Sequence, residues 1–557
     1  MAKKKSKIGL MFFGISVIFV LVITYLATQS KKGEHSERFV IGATQEPDSL
    51  HPLLASMMAQ EVIEGLMFEP MVEYDNQWDL HPRLVESIPS LENGGVKNLP
   101  DGKVVVTWKF KEGLKWSDGH PLTPDDFIFS WQAELNPKFP VVTRDTVSRI
   151  EKMEALDDRT LVVTWKAPYA YFDQGHNFIP KHVLGPIYEK EKDLPEMKEF
   201  SEGDYNLFPM GNGPYMMTSK EDWKKGSYIT LTRNPHFYGD PGFFKQITYK
   251  KTAALESDFV SGNIDAIDPD IGLTLPQALD FEKRAGTKYR FHYTTGLIWE
   301  HIDFNLDNPM LKDKRVRQAL VYGIDREGMV SKLFSDKEVV SHSSLPEKHY
   351  GYNPDVRKYP YNPQKASQLL DEAGWKLKDD GYRYKDGEKF SLVIMSTTDN
   401  QARADVEQLI QADWKKIGVE LSVKNEPARV FFGETTNKRK FPHLAMYAWM
   451  LSPVSDNETS CTIKNIPSKE NNWQGQNYTG WRNARADEIY RTIPTILDEK
   501  KRRELLQEGE EIWSEELPAI PLFLRTQVSV THENLQNWKP TGMQVPITWN
   551  AQDWKAL

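Results

Sequence analysis

From Arg38 to its end, the chain alternates between strand-like and helix-like stretches, and this alternation limits it to a mixed α/β fold. Two strands are predicted clearly, because apolar side chains occupy every second position over 104–110 and over 161–165. Helices are predicted after Thr123-Pro124 and Asn362-Pro363, where a capping side chain precedes a proline at the first helical position. A chain of 557 residues without a low-complexity linker has room for about three or four packed domains.

The densest cluster of side chains that could act in catalysis lies at residues 110–131, in FKEGLKWSDGHPLTPDDFIFSW. Asp118, His120, Asp125 and Asp126 are candidates for catalysis, because carboxylates and imidazoles are common general acids and bases. The local pattern favours another interpretation. Asp118 belongs to an Asp-Gly turn, and the two later acids stand where negative charge stabilises the start of a helix. We therefore predict a strand–turn–helix connector rather than a catalytic site.

Signatures of enzyme active sites are absent from the sequence, which contains no G-x-S-x-G elbow, P-loop, G-x-G-x-x-G turn or H-E-x-x-H pair. The only cysteine, Cys461, has no neighbouring motif of a nucleophile, and DAIDPDIG at 265–272 lacks the glutamate that ends a calcium loop. We predict no catalytic residues, no metal site and no cofactor. A carboxylate pair that only the fold assembles would escape this search, so a hydrolase stays an alternative.

Charge and cysteine content argue against nucleic-acid binding and exclude internal disulfides and a lipid anchor on an amino-terminal cysteine. The net charge is −9 and no stripe of Lys and Arg appears in the body of the chain, so nucleic acid is not expected as a partner. A single cysteine cannot form an internal disulfide. No cysteine follows the apolar amino-terminal segment, which excludes an acyl-lipid anchor at that point.

Residues 1–32 differ from the rest of the chain and are predicted to be a signal or anchor segment. Four lysines precede a charge-free stretch over 8–27, in which 13 of the 20 residues are Leu, Ile, Val or Phe. Twenty apolar residues can cross a membrane as a helix, and the leading lysines predict that the start stays in the cytoplasm. The long apolar core favours a retained transmembrane helix that tethers an exported protein to the membrane, and a cleaved signal peptide is the alternative.

Aromatic residues make up 11% of the chain, and several of them cluster in predicted loops. Tyr169, Tyr171, Trp299, Tyr447 and Trp449 are the clearest examples. Aromatic side chains in loops often line ligand clefts between domains, although core packing is the commoner fate of any single one.

Eight segments, in this order, resemble the extracytoplasmic solute-binding proteins of peptide-type ABC importers, the oligopeptide/dipeptide-binding family. They are QEPDSLHPL at 45–53, LHPRLVESI at 80–88, the block at 110–131, IPKHVLG at 179–185, GNGPY at 211–215, IDFNLDNPMLKDKRVRQALVYGIDREGMV at 302–330, YNPQKASQLLDEAGW at 361–375 and NYTGWRNARADEI at 477–489. The resemblance covers residues 38–557.

The resemblance implies a two-lobed, three-domain periplasmic-binding-protein-like fold with a hinge. Domain I would be discontinuous, domain II would be inserted into it, and the ligand would lie between domains I and III. The expected ranges are 38–85, 205–295 and 515–557 for domain I, 86–204 for domain II and 296–514 for domain III. The implied function is to capture a peptide or peptide-like solute, as a monomer, and to deliver it unaltered to an ABC transporter permease.

The resemblance also implies the site. Family members that bind peptides often carry W-x-x-D, whose aspartate pairs with the amino group of the peptide. Here the run is Trp449-Met450-Leu451-Ser452, so a serine replaces the acid, and Asp456 is the nearest carboxylate that can substitute. Trp449 is the first expected ligand contact, followed by Asp456, Ser452 and Tyr447. Two acids of the opening loop, Glu46 and Asp48, complete the set of candidates.

Two alternatives to an importer component remain at this point. The chain could be a membrane-anchored extracytoplasmic hydrolase whose carboxylates are assembled only by the fold. It could also be a sensory protein that has kept the binding fold and signals through a membrane partner.

Overall fold

The computed structural model describes residues 37–54, 57–174, 177–454, 456–543 and 545–556. The predicted transmembrane helix over 8–27 lies outside these residues. Within the described ranges, no helix is both long enough and apolar enough to cross a membrane.

The main layer is a mixed sheet of twelve strands. In chain order they are β1 (Arg38–Ala43), β2 (Tyr215–Met216), β3 (Trp223–Lys224), β4 (Tyr228–Arg233), β5 (Gln246–Lys251), β6 (Ala266–Ile267), β7 (Arg290–Phe304), β8 (Val339–Val340), β9 (Ser391–Met395), β10 (Glu420–Val423), β11 (Leu444–Met450) and β12 (Ala519–Thr531). Across the sheet the order is β10-β9-β11-β7-β12-β6-β1-β5-β4-β2, with β8 paired to β12 and β3 paired to β4.

Helices pack against this sheet and against the smaller sheets. In chain order they are α1 (Met58–Met67), α2 (Pro124–Leu135), α3 (Asp145–Arg149), α4 (Lys181–Glu191), α5 (Lys198–Glu202), α6 (Leu255–Val260), α7 (Leu275–Ala285), α8 (Lys314–Tyr322), α9 (Arg326–Phe334), α10 (Pro363–Glu372), α11 (Gln401–Lys416), α12 (Ala428–Val430), α13 (Glu458–Cys461), α14 (Ala484–Thr492) and α15 (Glu499–Glu516). A π-helical turn over Phe431–Thr436 follows α12.

Smaller sheets extend the fold. The largest has four antiparallel strands in the order Val96–Asn98, Val104–Lys109, Thr160–Trp165 and Ile150–Asp157. The others are Lys376–Leu377, Arg383–Lys385 and Glu388–Lys389; Val72–Tyr74 with Leu80–Pro82; and Leu535–Gln536 with Lys555–Ala556.

Strands β7 and β12 are the longest in the sheet, and they join its two halves. They pair antiparallel from Arg290 opposite Thr531 to Asp303 opposite Ala519, with a break in register between Thr295 and Trp299. The break divides the molecule into a first lobe, before 295 and after 526, and a second lobe between these positions. Among the described residues, two strands of the sheet cross at this point, an arrangement that permits hinge motion.

A close backbone approach marks the same point. Gly542 has a φ of +76°, and a Cβ atom there would lie 2.1 Å from the carbonyl oxygen of Thr295. Glycine is required at 542 because only it tolerates both the left-handed conformation and this contact.

The largest apolar core belongs mainly to the second lobe and extends into the first. It is built around strands β7, β11 and β12 with helices such as α8, α10 and α11 packed on them, and it includes Leu275 and Met543 of the first lobe. The first lobe has one further core under β1 and β5 and another under the four-stranded sheet.

The local predictions are confirmed. The strands predicted over 104–110 and 161–165 form and pair with each other, with Val104 opposite Trp165. Helix α2 begins after Thr123, whose backbone N–H donates to Asp126 Oδ2 at 3.0 Å in a capping box. Helix α10 begins after Asn362, whose side chain caps it.

The block at 110–131 is structural, as predicted. Asp126 is buried and also accepts hydrogen bonds from the Trp116 indole and the Lys181 backbone, while Asp118 Oδ2 lies 2.9 Å from His182 Nε2. These contacts fix the connector between a strand and a helix, and none of the candidate acids of the block lines the cavity described below.

Candidate ligand-binding site

A cavity of about 350 Å³ lies between the two lobes, and its walls come from both of them. Tyr169, Tyr171 and Gln174 belong to the first lobe, whereas Trp299 and Trp449 belong to the second. We call this space the aromatic cavity. It fits the size range of small-molecule sites, and its walls are mostly aromatic and polar side chains.

Strand β7 supplies one wall through alternate residues, since successive side chains of a strand point to opposite faces. Trp299, His301 and Asp303 line the aromatic cavity. The rings of Trp299 and His301 stack at a centroid distance of 4.3 Å with an interplanar angle of 4°. Trp299 is 4% exposed, and its Nε1–H has no acceptor among the described residues. This donor is available to a ligand oxygen.

Strand β11 supplies the predicted aromatic contact. Trp449 lines the cavity, is half-buried and stacks on Tyr478 at 5.8 Å with an interplanar angle of 21°. Tyr447 is buried one layer behind it, and its hydroxyl donates a 2.6 Å hydrogen bond to Asp303 Oδ2. Burial, together with the neighbouring Asp303 carboxylate, raises the pKa of Tyr447 well above its usual value. Tyr447 therefore orients Asp303 and does not line the cavity.

Asp456 and Ser452 both line the aromatic cavity, in the loop that follows β11. Asp456 Oδ2 accepts a 2.6 Å hydrogen bond from the Tyr171 hydroxyl, and its Oδ1 accepts one from the Glu458 backbone at 3.0 Å. Burial raises the pKa of Asp456. The Ser452 hydroxyl accepts a 3.3 Å hydrogen bond from the Val454 backbone. The carboxylate of Asp456 thus stands where the lobes meet.

The two candidates of the opening loop lie elsewhere. Glu46 accepts a hydrogen bond from the Gly226 backbone at 2.6 Å, within the first lobe. Asp48 is exposed to solvent, and neither acid lines a cavity between the lobes. We leave Glu46 and Asp48 out of the candidate site, because neither lines the aromatic cavity or the acidic chamber described next.

A second cavity, of about 530 Å³, shares Gln174, Ser452 and Val454 with the aromatic cavity. We call it the acidic chamber, because five carboxylates line it. They are Glu61, Glu64, Glu69, Glu73 and Asp173. The described residues around this chamber include no Lys, Arg or His.

Burial governs the ionisation of these acids. It raises the pKa of Glu61 to about 6, that of Glu64 to about 8 and that of Glu73 to about 7. Burial also raises the pKa of Asp173, against the opposing effect of the Gln174 amide that donates to it at 2.9 Å. Carboxyl groups with raised pKa values are poised to ionise when a positive charge approaches.

The acidic chamber was missed in the sequence because its acids come from a helix, a strand and a distant loop. The one local signal was the pair Glu61 and Glu64 in α1, where the neighbours Val62, Ile63 and Leu66 are apolar and buried. An acid on the buried side of a helix is unusual, and this pair could have been marked as a candidate on that ground.

The opposite face of β7 carries a buried ion triad. Glu300 is 2% exposed, and its carboxylate accepts from Arg403 Nη2 at 3.1 Å and from Arg525. Burial acts to raise the pKa of Glu300, but the guanidinium groups of Arg525 and Arg403 lower it overall. The triad joins β7, β12 and α11 next to the break in register, and its three members also line a further cavity of about 570 Å³.

Neither metal nor thiol chemistry finds support in the site. Cys461 lines the aromatic cavity, and burial raises the pKa of its thiol, which keeps it protonated. In the part of the chain that the structure describes, no three His, Cys, Asp or Glu side chains are grouped to hold a metal ion. The arrangement can bind and orient a solute through stacking and hydrogen bonds.

Comparison with known proteins identifies the family. The family model described as "Bacterial extracellular solute-binding proteins, family 5 Middle" matches residues 79–467. The chain belongs to this family. Family 5 membership confirms the predicted extracytoplasmic solute-binding protein and its α/β substrate-binding-protein fold, and it agrees with a binding function rather than an enzymatic one.

Similar proteins extend the match to nearly the whole chain. The oligopeptide-binding protein AppA of Bacillus subtilis (strain 168) is 28% identical over 566 residues, which covers 96% of this chain and 97% of AppA. The oligopeptide binding protein from Thermus thermophilus, solved in complex with a pentapeptide, has 28% identity and a TM-score of 0.65, covering 94% of this chain and 96% of that one. AppA in complex with a nonapeptide has 25% identity and a TM-score of 0.64, covering 93% and 99%.

Proposed function

We propose that this family 5 protein is the solute-binding component of an ABC importer and that it captures a peptide between its two lobes. Two of the similar solved structures hold a pentapeptide and a nonapeptide. The observation that carries the proposal is the aromatic cavity, where Trp449 and Asp456 of one lobe meet Tyr171 of the other. The protein performs no chemistry on its ligand and passes it to a permease.

Each side chain of the site has its own contact with the peptide in this proposal. Trp449 provides an apolar wall on which a side chain of the peptide stacks. Asp456 takes the free amino group, in place of the acid that Ser452 replaces, and Ser452 adds a neutral hydrogen bond. Tyr447 supports them by holding Asp303. The Nε1–H of Trp299, which has no acceptor among the described residues, donates to a backbone carbonyl of the peptide.

The lobes correspond to three domains in this proposal. Domain I consists of 38–85, 205–295 and 527–557, domain II of 86–204 and domain III of 296–526, so the predicted boundary at 515 moves to the break in register of β12. The two strands that cross at the break in register act as the hinge. Ligand binding favours the closed arrangement because contacts to both lobes exist only when the gap is shut.

Residues 8–27 tether the protein to the outer side of the cytoplasmic membrane in this proposal. A tether raises the effective concentration of the receptor near its permease. The intact mass of the protein purified from membranes tests this part, because a retained anchor leaves residues 8–27 in the mature chain, whereas a cleaved signal peptide removes them.

Calorimetry of the full-length protein in mild detergent tests the proposed function. A pentapeptide with a free amino group is expected to bind about tenfold or more tightly than its N-acetylated form, since a hydrogen bond to a charged group is lost on acetylation. Asp456→Asn should remove this difference. The matched control is Asp48→Asn, which changes an exposed acid outside the site and should preserve it.

Binding of neither peptide, together with native mass spectra in which the freshly purified protein carries no peptide, would overturn the proposed function. Equal affinity for the free and the acetylated peptide would instead remove Asp456 from the amino-group site while leaving the binding function in place.

A further inference from the structure

Two of the cavities between the lobes adjoin each other, because Gln174, Ser452 and Val454 line both of them. A ligand in the aromatic cavity that extends past Ser452 would reach the acidic chamber.

The charge of this space has one sign. Asp303 and Asp456 line the aromatic cavity, and the five acids defined above line the acidic chamber. Among the described lining residues of both cavities there is no Lys or Arg, and His301 is the one imidazole. A site that must also hold an anionic side chain would offer a guanidinium or an ammonium group.

Cations outside the lining act on three of the five acids, namely Glu69, Asp173 and Glu73, and Arg83 partly opposes the raised pKa of Glu73. Glu69 forms an ion pair with Arg83, and Lys111 is close enough to act on it as well. Arg502 acts on Asp173 from the second lobe. The Glu64 carboxylate accepts from the neutral Gln60 amide at 2.7 Å, and Glu73 accepts from the Tyr74 backbone at 3.0 Å.

A buried donor supports a ligand in the aromatic cavity. Trp299 is only 4% exposed, lines the aromatic cavity and keeps an Nε1–H without an acceptor in the described part of the structure. A buried donor left unpaired is costly, and a ligand carbonyl oxygen would satisfy it. The acidic chamber adjoins this cavity at Gln174, Ser452 and Val454.

We propose that the acidic chamber is a subsite for a positively charged side chain, so that the protein selects peptides carrying a lysine or arginine next to the bound amino terminus. This inference rests on the proposed function and specifies its substrate class. Glu64 and Glu73 are the residues that determine specificity in it, because the hydrogen bonds that each accepts from the described residues come from neutral donors. The aromatic walls favour the same charge, since a cation is attracted to the face of an aromatic ring.

The test uses alanine pentapeptides in which one residue is replaced by lysine, glutamine or glutamate. Each of the five positions of the peptide is substituted in turn. Each peptide is titrated into the full-length protein at pH 8.5 by calorimetry. At one position the lysine peptide is expected to bind about tenfold or more tightly than the glutamine peptide, and the glutamate peptide more weakly than both. Raising the salt concentration should reduce the lysine preference, because screening weakens charge pairs.

The double substitution Glu64→Gln with Glu73→Gln should reduce the ratio of lysine to glutamine affinity to within about twofold, because the chamber then offers amides instead of carboxylates. The matched control is Glu92→Gln with Glu202→Gln, two exposed acids of the first lobe whose loss changes the net charge equally. The control should retain the full ratio. The far-ultraviolet circular dichroism and melting temperature of each variant show whether it is folded.

The results distinguish this inference from the proposed function. If lysine and glutamine peptides bind with equal affinity at every position, the charged subsite is overturned while peptide binding stands. A lysine preference that survives in the double variant also overturns it, because the chamber is then not its source. If no peptide of the set binds, the proposed function fails and the subsite fails with it.

Discussion

Tyr171 and Asp456 are joined by a 2.6 Å hydrogen bond that crosses the gap between the two lobes. Two further contacts cross the same gap, from the Ala170 backbone to the Pro494 carbonyl at 2.7 Å and from Lys348 Nζ to the Asn76 carbonyl at 2.8 Å. The tyrosine hydroxyl donates to the carboxylate of Asp456, and the proposed function assigns the same carboxylate to a ligand amino group. In the proposed function, a ligand amino group displaces this hydroxyl, which in the unliganded protein contributes to holding the lobes together.

The first prediction is that Tyr171→Phe opens the unliganded protein. The hydrogen bond to a charged group contributes about 1.5–3 kcal/mol, and its loss removes one of the contacts that favour closure. Small-angle X-ray scattering of the unliganded variant should show a larger radius of gyration than the wild type, and saturating peptide should restore the compact value. Tyr238→Phe is the control, because that hydroxyl donates to the Arg83 carbonyl within the first lobe. Identical scattering of the wild type and Tyr171→Phe would contradict a role in closure.

The second prediction concerns Trp449. Replacing it with alanine should weaken peptide binding by about tenfold or more, since the stacking surface of the aromatic cavity is lost. The side chain is half-buried at the gap, so we expect the melting temperature to fall by only about 2 °C or less. Calorimetry and thermal melting provide the two readouts. The control is Trp549→Phe, at a partly exposed indole that donates to the Lys539 carbonyl, and it should change neither the affinity nor the melting temperature. Unaltered peptide affinity in Trp449→Ala would exclude Trp449 from the site.

The third prediction is a pH dependence that arises in the acidic chamber. Burial raises the pKa of Glu64 to about 8 and that of Glu73 to about 7, above the value near 4.5 of an exposed glutamate. Between pH 5 and pH 8 the folded protein therefore retains protons that the unfolded chain has released, so stability without ligand falls as the pH rises. Glu61, Glu69 and Asp173 face the same chamber and their pKa values are raised too, which acts in the same direction.

Urea unfolding at a series of pH values measures this effect. The free energy of unfolding of the wild type should decrease from pH 5 to pH 8, and the slope should be smaller in the variant with Glu64→Gln and Glu73→Gln, because an amide does not titrate. The affinity for a lysine peptide should change in the opposite sense and rise with pH. An equal slope in the wild type and the double variant would show that these two acids are not the source.

The fourth prediction concerns the ion triad beside the hinge. Glu300→Ala leaves Arg403 buried without its carboxylate, and breaking a buried pair in this way costs about 3–5 kcal/mol. The urea concentration at which half of the protein is unfolded should therefore be lower in Glu300→Ala than in the wild type. Glu434→Ala removes an exposed partner of Lys438 and Lys440 and should leave the midpoint unchanged. A small effect of Glu300→Ala would indicate that water or a neighbouring group replaces the carboxylate.

The sequence alone predicted those parts of the molecule that depend on neighbouring residues. The strands at 104–110 and 161–165 follow from a two-residue period, and the capping box at Thr123 and Asp126 follows from hydrogen bonds within a single turn. These patterns showed that the block at 110–131 is structural. The order of eight motifs predicted the family, and through it the placement of Trp449 beside a ligand site.

The tertiary structure alone decided the composition of that site. Tyr171 reaches Asp456 across 285 residues of chain, and Trp299 is proposed as a ligand donor only because its indole is buried without an acceptor among the described residues. The acidic chamber is assembled from α1, a short strand and a loop of another domain, and burial then sets the pKa values of its acids. Local patterns cannot encode these properties, because desolvation and contacts across the gap exist only when distant segments pack together.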